Sequence, residues 1–330
     1  MANIERYSEV QAPESRGAHK LSPFRDVSGN ASVSSCAKAI VCGEHAVLYG
    51  APAVSMPLMN QRMTFYASKC ENLEREQLLF GKKPVSSHVQ GIVKDAFRLL
   101  SVPYQALKIS GVSDIPIGSG LGSSAAICVA ILKLIAGIFG KSIERELLSE
   151  AARELEGRFH GKSSGLDTAT VAWEQMLLFR KGEKPKEICV RSWDHTGPLR
   201  FALIDSGIRS STISMVKKAE PWFTDDKEGE GRVAKFKDLS IQCATALETG
   251  DLAGLADAMN QNHRYLNESG VSNSNLESLR AEIMKSGALA SKITGAGGGG
   301  CVLALLAPED YKNQLKLLTD EFGKERVFFV

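Results

Sequence analysis

Apolar residues recur along this chain with two different periods, which predict a mixture of strands and helices. Positions 32–42 are small, β-branched and apolar and predict a buried strand, and positions 60–68 alternate well enough to predict another. Apolar residues at helical spacing over 89–100 predict a helix with one apolar face. The run 125–139, interrupted by Lys133, is short for a bilayer span and predicts a buried helix.

Helices and strands follow one another along the rest of the chain without regular alternation. Further helices are predicted at 143–159, 208–219, 233–247, 252–266, 276–286 and 311–322. Further strands are predicted at 106–110, 176–179, 188–190, 201–205, 291–294, 301–306 and 327–330, the last as an edge strand. This order favours an α+β fold over a doubly wound parallel sheet.

Length and the distribution of polar residues predict two domains behind a polar arm. A chain of 330 residues is too long for one typical hydrophobic core. Residues 1–30 are polar, show no period and predict an N-terminal arm. A seam containing tryptophan and proline near 190–200 separates a first predicted domain at 31–196 from a second at 197–330.

Composition and charge exclude several classes of protein. Apolar residues make up 43% and charged residues 24%, as in ordinary globular proteins and unlike disordered chains. The 40 basic and 38 acidic residues leave a net charge of +2, which argues against a nucleic-acid coat and a polybasic membrane anchor. Seven cysteines without a C-x-x-C pair give a zinc site no support. Their odd number, with no secretory signal, predicts reduced thiols in a cytosol-like compartment.

The segment Pro116–Ala126 carries the strongest chemical signal in the sequence. Its residues are Pro-Ile-Gly-Ser-Gly-Leu-Gly-Ser-Ser-Ala-Ala, and a long helix is predicted to begin at Ser123. Alternate glycines permit positive φ and close backbone approach, and bare N–H groups ahead of a helix N-terminus bind anions. The string lacks the Gly-Lys-Ser/Thr of a Walker A loop and the last glycine of a dinucleotide fingerprint. It therefore predicts a phosphate-binding loop, with a plain glycine turn as the alternative.

Two further segments combine glycines with charged residues where predicted strands end. In Ala37–Pro52 the strand ends at Gly-Glu-His, and alternation places Lys38 on one face with Ile40, so burial of the lysine is feasible. In Lys292–Cys301, five glycines occupy six positions between two strands. Glycine costs about 0.5–1 kcal/mol per site relative to alanine, which favours a loop that closes over a charged ligand rather than an ordinary hairpin turn.

These three segments, in this order, resemble the signatures of the GHMP kinases, and the resemblance covers about residues 32–306. Within the family, the Gly-Glu-His-Ala-Val-Leu-Tyr-Gly string is most similar to the mevalonate kinases. The resemblance implies a two-domain α+β fold, with an N-terminal domain like ribosomal protein S5 domain 2 and a ferredoxin-like C-terminal domain. It implies ATP as co-substrate and Mg²⁺ as cofactor. The implied ATP-binding residues are Pro116, Gly118, Ser119, Gly120, Leu121, Gly122, Ser123, Ser124 and Ala125.

A fourth segment, Glu156–Thr168, resembles the catalytic stretch of the mevalonate kinases. By position, the resemblance makes Glu156 and Ser124 the metal ligands and Asp167 the candidate base, with Lys38 paired to it. Whether Asp167 removes the proton early, or Lys38 and Mg²⁺ do most of the work in a loose transition state, is left open. Ser163 stands where the family usually has proline, a departure that bears on the rigidity of the loop. Without the resemblance, Glu156 is interpreted as a helix-surface residue and Asp167 as a turn residue.

An acceptor that carries a carboxylate needs a cation or a hydroxyl to bind it. The segment Ser206–Thr212 resembles the family's Arg-Ser/Asn-Thr element, which makes Arg209 and Ser211 candidates beside His45. The implied substrate-binding residues are Glu44, His45, Arg209, Ser211, Gly295, Ala296 and Gly297. His263, in a helix and turn that also resemble the family, is interpreted as structural.

The resemblance implies phosphorylation of the mevalonate 5-hydroxyl to 5-phosphomevalonate, with release of ADP, in isoprenoid and sterol precursor biosynthesis. Another GHMP kinase, such as a phosphomevalonate kinase, and a non-catalytic ligand sensor on the same fold are the alternatives. The expected partners are mevalonate and ATP, without nucleic acid or membrane insertion. A homodimer and feedback inhibition by isoprenoid diphosphates are left open. A cytoplasmic location is expected, and a signal for a peroxisome-like organelle within residues 1–30 stays open.

Overall fold

The structure is a computed structural model that describes residues 24–25, 31–69, 77–80, 83–85, 87–116, 118–160, 163–188 and 199–330. Apart from Phe24–Arg25, the predicted arm at 1–30 lies outside these residues. Most of the predicted seam near 190–200 lies outside them as well. The domain boundary at 196/197 therefore stays a prediction.

Strands and helices occupy most of the described residues. The strands are β1 (Phe24–Arg25), β2 (Ala31–Cys42), β3 (Ala53–Lys69), β4 (Gln77–Phe80), β5 (Lys83–Pro84), β6 (Leu107–Ser113), β7 (Leu177–Phe179), β8 (Lys186–Glu187), β9 (Phe201–Asp205), β10 (Ala290–Ile293), β11 (Cys301–Leu305) and β12 (Val327–Phe329). The helices are α1 (Ser87–Leu99), α2 (Ser123–Ile138), α3 (Arg145–His160), α4 (Leu166–Trp173), α5 (Thr212–Thr224), α6 (Gly229–Thr249), α7 (Leu252–Glu268), α8 (Ser274–Lys285) and α9 (Tyr311–Phe322). A short 3-10 helix covers Ala46–Tyr49. This mixture confirms the predicted α+β class.

Contacts within the chain define two compact units, and neither is continuous in sequence. The first unit contains Met1–Ala37, Gln61–Ile115 and Ser123–Trp173. The second unit contains Lys38–Asn60, Pro116–Gly122 and Glu174–Val330. The predicted phosphate loop therefore belongs to the second unit, whereas the helix that follows it in sequence belongs to the first.

The first unit contains β1, β2 as far as Ala37, β3 from Gln61, β6, β4 and β5, which follow one another in this order in one sheet. Its β3–β6 pair is antiparallel, with Met63 opposite Ser113, whereas β4 runs parallel to β6. Helix α2 is buried along most of its length, which explains why its residues are apolar on all sides. The predicted buried helix is therefore confirmed. Among the described residues, none of the helices has the length and apolar character that spanning a bilayer requires.

The second unit is built on an antiparallel sheet with the strand order β10-β11-β9-β12, so the predicted edge strand is confirmed. Helices α7 and α8 contact β10, and α9 contacts β12. One buried hydrophobic core joins these elements, and its members include Ile204, Phe236, Leu266 and Val302. Elsewhere in this unit, the start of β3 pairs with β7, and β7 pairs with β8.

Several elements differ from the sequence predictions. Helix α4 has no predicted counterpart, because its residues other than Asp167 are buried and leave no polar face with a helical period. Helix α5 begins at Thr212 rather than at 208, because Ser211 Oγ accepts a hydrogen bond from the Ser214 N–H and caps the helix there. Strand β3 begins at Ala53 rather than at 60, and β4 has no predicted counterpart.

Buried His263, on α7, is structural, as the sequence indicated. Its Nδ1 accepts from the Ile293 N–H at 3.3 Å, and its Nε2–H donates to Glu277 Oε1 at 2.9 Å, so the ring is held in its neutral form. Burial, and next the charge of Arg280, lower the pKa of His263 to about 4. In the unfolded chain the ring titrates at a pKa of about 6.5.

This lowered pKa makes stability depend on pH. Between about pH 4 and pH 6.5 the unfolded state binds more protons at His263 than the folded state does. We therefore expect the contribution of neutral His263 to the free energy of unfolding to be fully present above this range and to be lost as the pH falls through it. The expected loss in the free energy of unfolding from pH 7 to pH 5 is about 1–2 kcal/mol. Urea denaturation of the protein and of a His263→Asn variant measures it. Equal pH slopes in the two proteins would contradict the assignment.

Candidate active site

Lys38 lies against the predicted phosphate loop in the second unit. The residue is 2% exposed, which confirms the burial that strand alternation made feasible. Its backbone N–H donates to Leu121 O at 3.0 Å, and its Nζ donates to Gly120 O at 3.1 Å. Both the main chain and the side chain of the lysine are therefore held on this loop.

The third glycine segment lies beside the same loop. Thr294 Oγ1 accepts from the Ile40 N–H at 2.8 Å and donates to Ile40 O at 3.1 Å, which joins the start of this segment to β2. At its other end, the Cys301 N–H donates to Ser119 O at 3.1 Å. The three segments singled out in the sequence for their glycines and their lysine therefore meet in one unit.

Close approach to the backbone of the phosphate loop explains two glycines of the third glycine segment. A Cβ on Gly295, whose φ is +83°, would lie 2.9 Å from Gly120 O. A Cβ on Gly300, whose φ is +77°, would lie 2.6 Å from Ser119 O. Positive φ disfavours other residues at these positions, and the short distances exclude a side chain without movement of the backbone. Part of the glycine content therefore serves the packing of one loop on the other.

A buried ion pair holds the end of β2 to β10. Lys292 Nζ donates to Glu44 Oε1 and to the carbonyl oxygens of Ile40 at 3.2 Å and Ile293 at 2.7 Å. Lys292 is 0% exposed and Glu44 is 1% exposed. Asn262 Nδ2 donates to the second carboxylate oxygen of Glu44 at 2.9 Å. Both carboxylate oxygens of Glu44 thus have buried partners, Lys292 and Asn262. A contact between Glu44 and a substrate stays a prediction.

His45 follows Glu44 in a turn and has a left-handed backbone with a φ of 57°. Its Nε2–H donates to Ala296 O at 2.9 Å, which ties this turn to the third glycine segment. Burial lowers the pKa of His45, against the opposing effects of the Ala296 hydrogen bond and the charge of Glu44. The ring is therefore neutral near pH 7, so His45 does not supply the cation that a carboxylate needs.

Arg209 and Ser211 lie in the segment that follows β9. Two nitrogens of Arg209 donate to Asp205, Nη1 to Oδ1 and Nη2 to Oδ2, each at 2.7 Å. This pairing raises the pKa of Arg209, so the guanidinium is charged. A Cβ on Gly118 would lie 3.0 Å from Arg209 Cδ, which places the arginine stem beside the phosphate loop. Ser211 is exposed and caps α5.

In the first unit, two serines hold Glu156 near the end of α3. Ser124 Oγ donates to Glu156 Oε1 at 2.9 Å, and Ser163 Oγ donates to Glu156 Oε2 at 2.7 Å. Glu156 is 2% exposed, so its interpretation as a helix-surface residue is wrong. Burial, and next the charge of Glu156, raise the pKa of Cys128 well above its usual range, and this neighbouring thiol stays neutral.

Asp167 lies in the first turn of α4 and is half-buried. The turn before it is ordered by two hydrogen bonds, from the Gly165 N–H to Ser163 Oγ at 3.1 Å and from the Leu166 N–H to Ser164 Oγ at 3.2 Å. A carboxylate in the first turn of a helix interacts favourably with the positive end of the helix dipole. The aspartate therefore belongs to a helix start rather than to an isolated turn.

Sequence reasoning misses the residues that hold the predicted site residues in place. Lys292 and Asn262 bind Glu44, and Asp205 binds Arg209. For Lys292 a signal exists, since a lysine within a predicted buried strand needs a charged or polar partner. Asn262 and Asp205 carry no comparable signal in the local sequence.

Known proteins are similar in sequence to this chain along most of its length. Residues 87–175 match the family model of the GHMP kinases N terminal domain, and residues 243–317 match that of GHMP kinases C terminal. The mevalonate kinase of Archaeoglobus fulgidus is 30% identical over 292 residues, which cover 87% of this chain and 96% of that protein. The mevalonate kinase of Thermococcus sibiricus is 30% identical, with 84% of this chain and 89% of that protein covered.

Solved structures share its fold. The crystal structure of L. major mevalonate kinase in complex with R-mevalonate has a TM-score of 0.76 at 22% identity and covers 94% of this chain and 95% of its own. Mevalonate kinase from methicillin-resistant Staphylococcus aureus MRSA252 has a TM-score of 0.69 at 25% identity and covers 91% and 98%. With matches to both domains and similarity along nearly the whole chain, this protein belongs to the GHMP kinase family.

Proposed function

We propose that this chain transfers the γ-phosphoryl group of ATP to the 5-hydroxyl of mevalonate and so forms 5-phosphomevalonate and ADP. Curated relatives that are mevalonate kinases cover 87% and 84% of the chain at 30% identity. The structural observation that carries the proposal is the meeting of Lys38, the phosphate loop and the third glycine segment in one unit. The reaction belongs to isoprenoid precursor biosynthesis, and we extend the proposal to sterol precursors.

The phosphate loop supplies backbone donors for the phosphates of ATP. Gly118, Gly120 and Gly122 have φ of 72°, 80° and 74°, and left-handed residues within a loop let successive N–H groups face one anion. Helix α2 begins at Ser123, the next residue along the chain, and a loop that leads into a helix N-terminus is typical of phosphate-binding segments. Lys38 Nζ, hydrogen-bonded to Gly120 O, adds a positive charge beside the loop.

Glu156 and Ser124 fit Mg²⁺, which in kinases takes hard oxygen ligands from one or two carboxylates, waters and substrate phosphates. Their oxygen atoms already lie 2.9 Å apart, and the carboxylate is buried and oriented by hydroxyl groups. We propose these two residues as the protein ligands of the ion. When bound, Mg²⁺ neutralises charge on the β- and γ-phosphates.

In the proposed transfer, the acceptor oxygen forms a bond to the γ-phosphorus while the bond from that phosphorus to the bridging oxygen of ADP breaks. Asp167 orients the acceptor hydroxyl, receives its proton and later releases that proton to water. Lys38 stabilises the negative charge that develops on the acceptor oxygen.

The acceptor site is proposed from the turn after β2, the third glycine segment and the segment after β9. Its proposed members are Glu44, His45, Arg209, Ser211, Gly295, Ala296 and Gly297. Arg209 supplies the cation of this set and Ser211 an exposed hydroxyl, the two groups that recognise a carboxylate.

The glycine beside Lys38 offers a test of the loop packing. A Cβ on Gly122 would lie 2.9 Å from both Cε and Cγ of Lys38. We expect Gly122→Ala to displace the lysine side chain and to lower kcat about 100-fold, because a shift of about 1 Å in a positioned group has effects of this size. Steady-state ADP release at saturating substrates measures the change.

Gly140→Ala is the matched control for this substitution. Gly140 also has a positive φ, +66°, but a Cβ there would meet no atom within 4 Å. Gly140→Ala therefore introduces the same backbone strain as Gly122→Ala but no contact with a neighbouring side chain. We expect its kcat to lie within about twofold of that of the unchanged protein. Equal losses in both variants would attribute the effect to strain and contradict the role of the packing.

The proposed function is tested by coupled ADP release with a panel of acceptors. The panel contains mevalonate, phosphomevalonate, homoserine and galactose at equal concentrations. We expect kcat/KM for mevalonate to exceed the others by about 100-fold or more, since a site built for one polar acceptor rejects others strongly. Faster turnover of homoserine or galactose would show that the acceptor is wrong.

The two alternatives have weaker support. Phosphomevalonate kinase of Streptococcus pneumoniae has a TM-score of 0.74 at 16% identity, a likeness that shows the fold alone. A non-catalytic sensor is expected to lose one of the reactive residues, whereas Lys38, Glu156 and Asp167 are all present in this chain. No turnover of any acceptor, with ATP still bound, would favour the sensor.

Three further features belong to the proposal. We propose a cytoplasmic location, because the described cysteines are free thiols, as is usual in a reducing compartment. Formation of a homodimer stays a prediction, which the mass in solution tests. Feedback inhibition by isoprenoid diphosphates also stays a prediction. Titration with farnesyl diphosphate at several ATP concentrations is expected to show competition with ATP.

A further inference from the structure

We propose that Ser163 is a positioning residue for the metal carboxylate, and that its hydroxyl fixes the orientation in which Glu156 meets Mg²⁺. The inference rests on the proposed function, since it takes Glu156 and Ser124 as the ligands of the ion.

The hydroxyl of Ser163 makes two hydrogen bonds whose directions are determined by chemistry. It donates to Glu156 Oε2 at 2.7 Å and accepts from the Gly165 N–H at 3.1 Å. An amide N–H only donates, and a serine hydroxyl carries a single proton. The proton of Ser163 is consequently directed at the carboxylate.

The carboxylate of Glu156 is held at both of its oxygen atoms. Ser124 binds Oε1 at 2.9 Å, and Ser163 binds Oε2 at 2.7 Å. Rotation of the carboxylate about its last side-chain bond would break both hydrogen bonds. Because Glu156 is 2% exposed, these donors also replace the water that an exposed carboxylate would bind.

This orientation matters because Mg²⁺ demands a nearly ideal octahedral arrangement of short bonds. With Oε2 held by Ser163, Oε1 is presented on the side of Ser124, the second proposed ligand. Groups that orient a metal ligand in this way typically change metal affinity or activity by about 10–100-fold when removed. Loss of the Ser163 hydroxyl leaves Glu156 in place but removes the hydrogen bond that orients Oε2.

The second hydrogen bond of Ser163 links the metal carboxylate to the turn before Asp167. Gly165, with a φ of 92°, is the last residue before α4, and Asp167 lies in the first turn of that helix. One hydroxyl thus joins the residue proposed to hold the ion and the turn that leads into the residue proposed to take the proton. The main effect of removing it is expected on the metal, with a smaller effect on kcat.

The experiment compares Ser163→Ala with Ser164→Ala, using Mn²⁺ as the probe. Ser164 is a matched control, because its hydroxyl accepts from the Leu166 N–H at 3.2 Å and so also orders the turn before α4. Electron paramagnetic resonance of free Mn²⁺ measures its affinity for the protein saturated with a non-hydrolysable ATP analogue. We expect the Kd for Mn²⁺ to rise about 10-fold in Ser163→Ala and less than about twofold in Ser164→Ala.

The rate gives a second readout that a loss of folding alone would not produce. In Ser163→Ala, the Mg²⁺ concentration for half-maximal rate is expected to rise about 10-fold, while kcat at saturating Mg²⁺ falls less than about threefold. Ser163→Thr keeps a hydroxyl and is expected to restore the affinity. If circular dichroism shows that Ser163→Ala does not fold, Ser163→Cys is used in its place. Cysteine removes the strong hydrogen-bond donor at nearly constant side-chain volume.

An unchanged Kd for Mn²⁺ in Ser163→Ala, or an equal rise in Ser164→Ala, would overturn the inference. The same measurement separates it from the proposed function. If the unchanged protein binds Mn²⁺ with the nucleotide analogue but phosphorylates another acceptor, the function is wrong while the comparison of the two serines still decides the role of Ser163.

Discussion

Asp167→Asn is expected to lower kcat by about 10²–10⁴-fold while the protein still folds and binds ATP. Asparagine keeps the shape of the side chain, so the first turn of α4 is preserved. Its amide does not accept the proton of the acceptor hydroxyl, which removes the proposed general base. ADP release at saturating mevalonate and MgATP measures kcat, and a thermal melt confirms folding.

Asp251→Asn is the matched control for this change. Asp251 caps α7 and accepts from the Gly254 N–H at 2.9 Å, so it is also an aspartate at a helix start. Asparagine caps helices about as well as aspartate, and we expect kcat within about twofold of the unchanged protein. If Asp167→Asn keeps a comparable rate, the aspartate is not the base. If Lys38→Met does so as well, the proposed catalytic pair is wrong.

Lys292→Met is expected to lower the free energy of unfolding by about 3–5 kcal/mol. The substitution removes the positive partner of Glu44, and that carboxylate is then left 1% exposed without its charge partner. It also removes the donor to the carbonyl oxygens of Ile40 and Ile293. Urea denaturation at constant pH measures the loss from the shift of the midpoint.

Lys285→Met is the control, because it breaks an ion pair of the same type at the surface. Lys285 Nζ lies 2.7 Å from Glu282 Oε1, and the two side chains are 71% and 44% exposed. Exposed pairs contribute about 0–1 kcal/mol, so we expect little change. The double variant Glu44→Gln/Lys292→Met should lose less than the sum of its single variants, since it leaves no unpaired charge. Similar losses in Lys292→Met and Lys285→Met would contradict the buried pair.

Most elements of the fold follow from local patterns. The apolar run after the phosphate loop becomes the buried helix α2, and the periodic segment at 311–322 becomes α9 with the same bounds. Prediction fails where a local pattern is absent or overridden. Helix α4 lacks a polar face because it is buried on all sides, and the start of α5 is set by the Ser211 cap.

The candidate site also contains residues that local sequence patterns predict and residues that they do not. Residue types alone indicate a phosphate-binding loop, because three alternating glycines before a helix serve few other purposes. The roles of Lys38 and Asp167 depend on the family resemblance, since a lysine in a strand or an aspartate before a helix is ordinary by itself. His45 shows where assignment by family resemblance fails. The resemblance makes this histidine a candidate to bind a carboxylate, but its burial and its hydrogen bond to Ala296, which keep the ring neutral, depend on the tertiary structure.

The sequence by itself determined where glycine permits a backbone to approach an anion, which helix is buried, and which family the signatures resemble. These are properties of residue type and short-range spacing. Only the tertiary structure decided which groups are paired. Lys292 meets Glu44 across 248 positions, and Ser124 meets Glu156 across 32. Such pairings depend on how distant strands and helices pack, and the spacing of residues along the chain does not encode that packing locally.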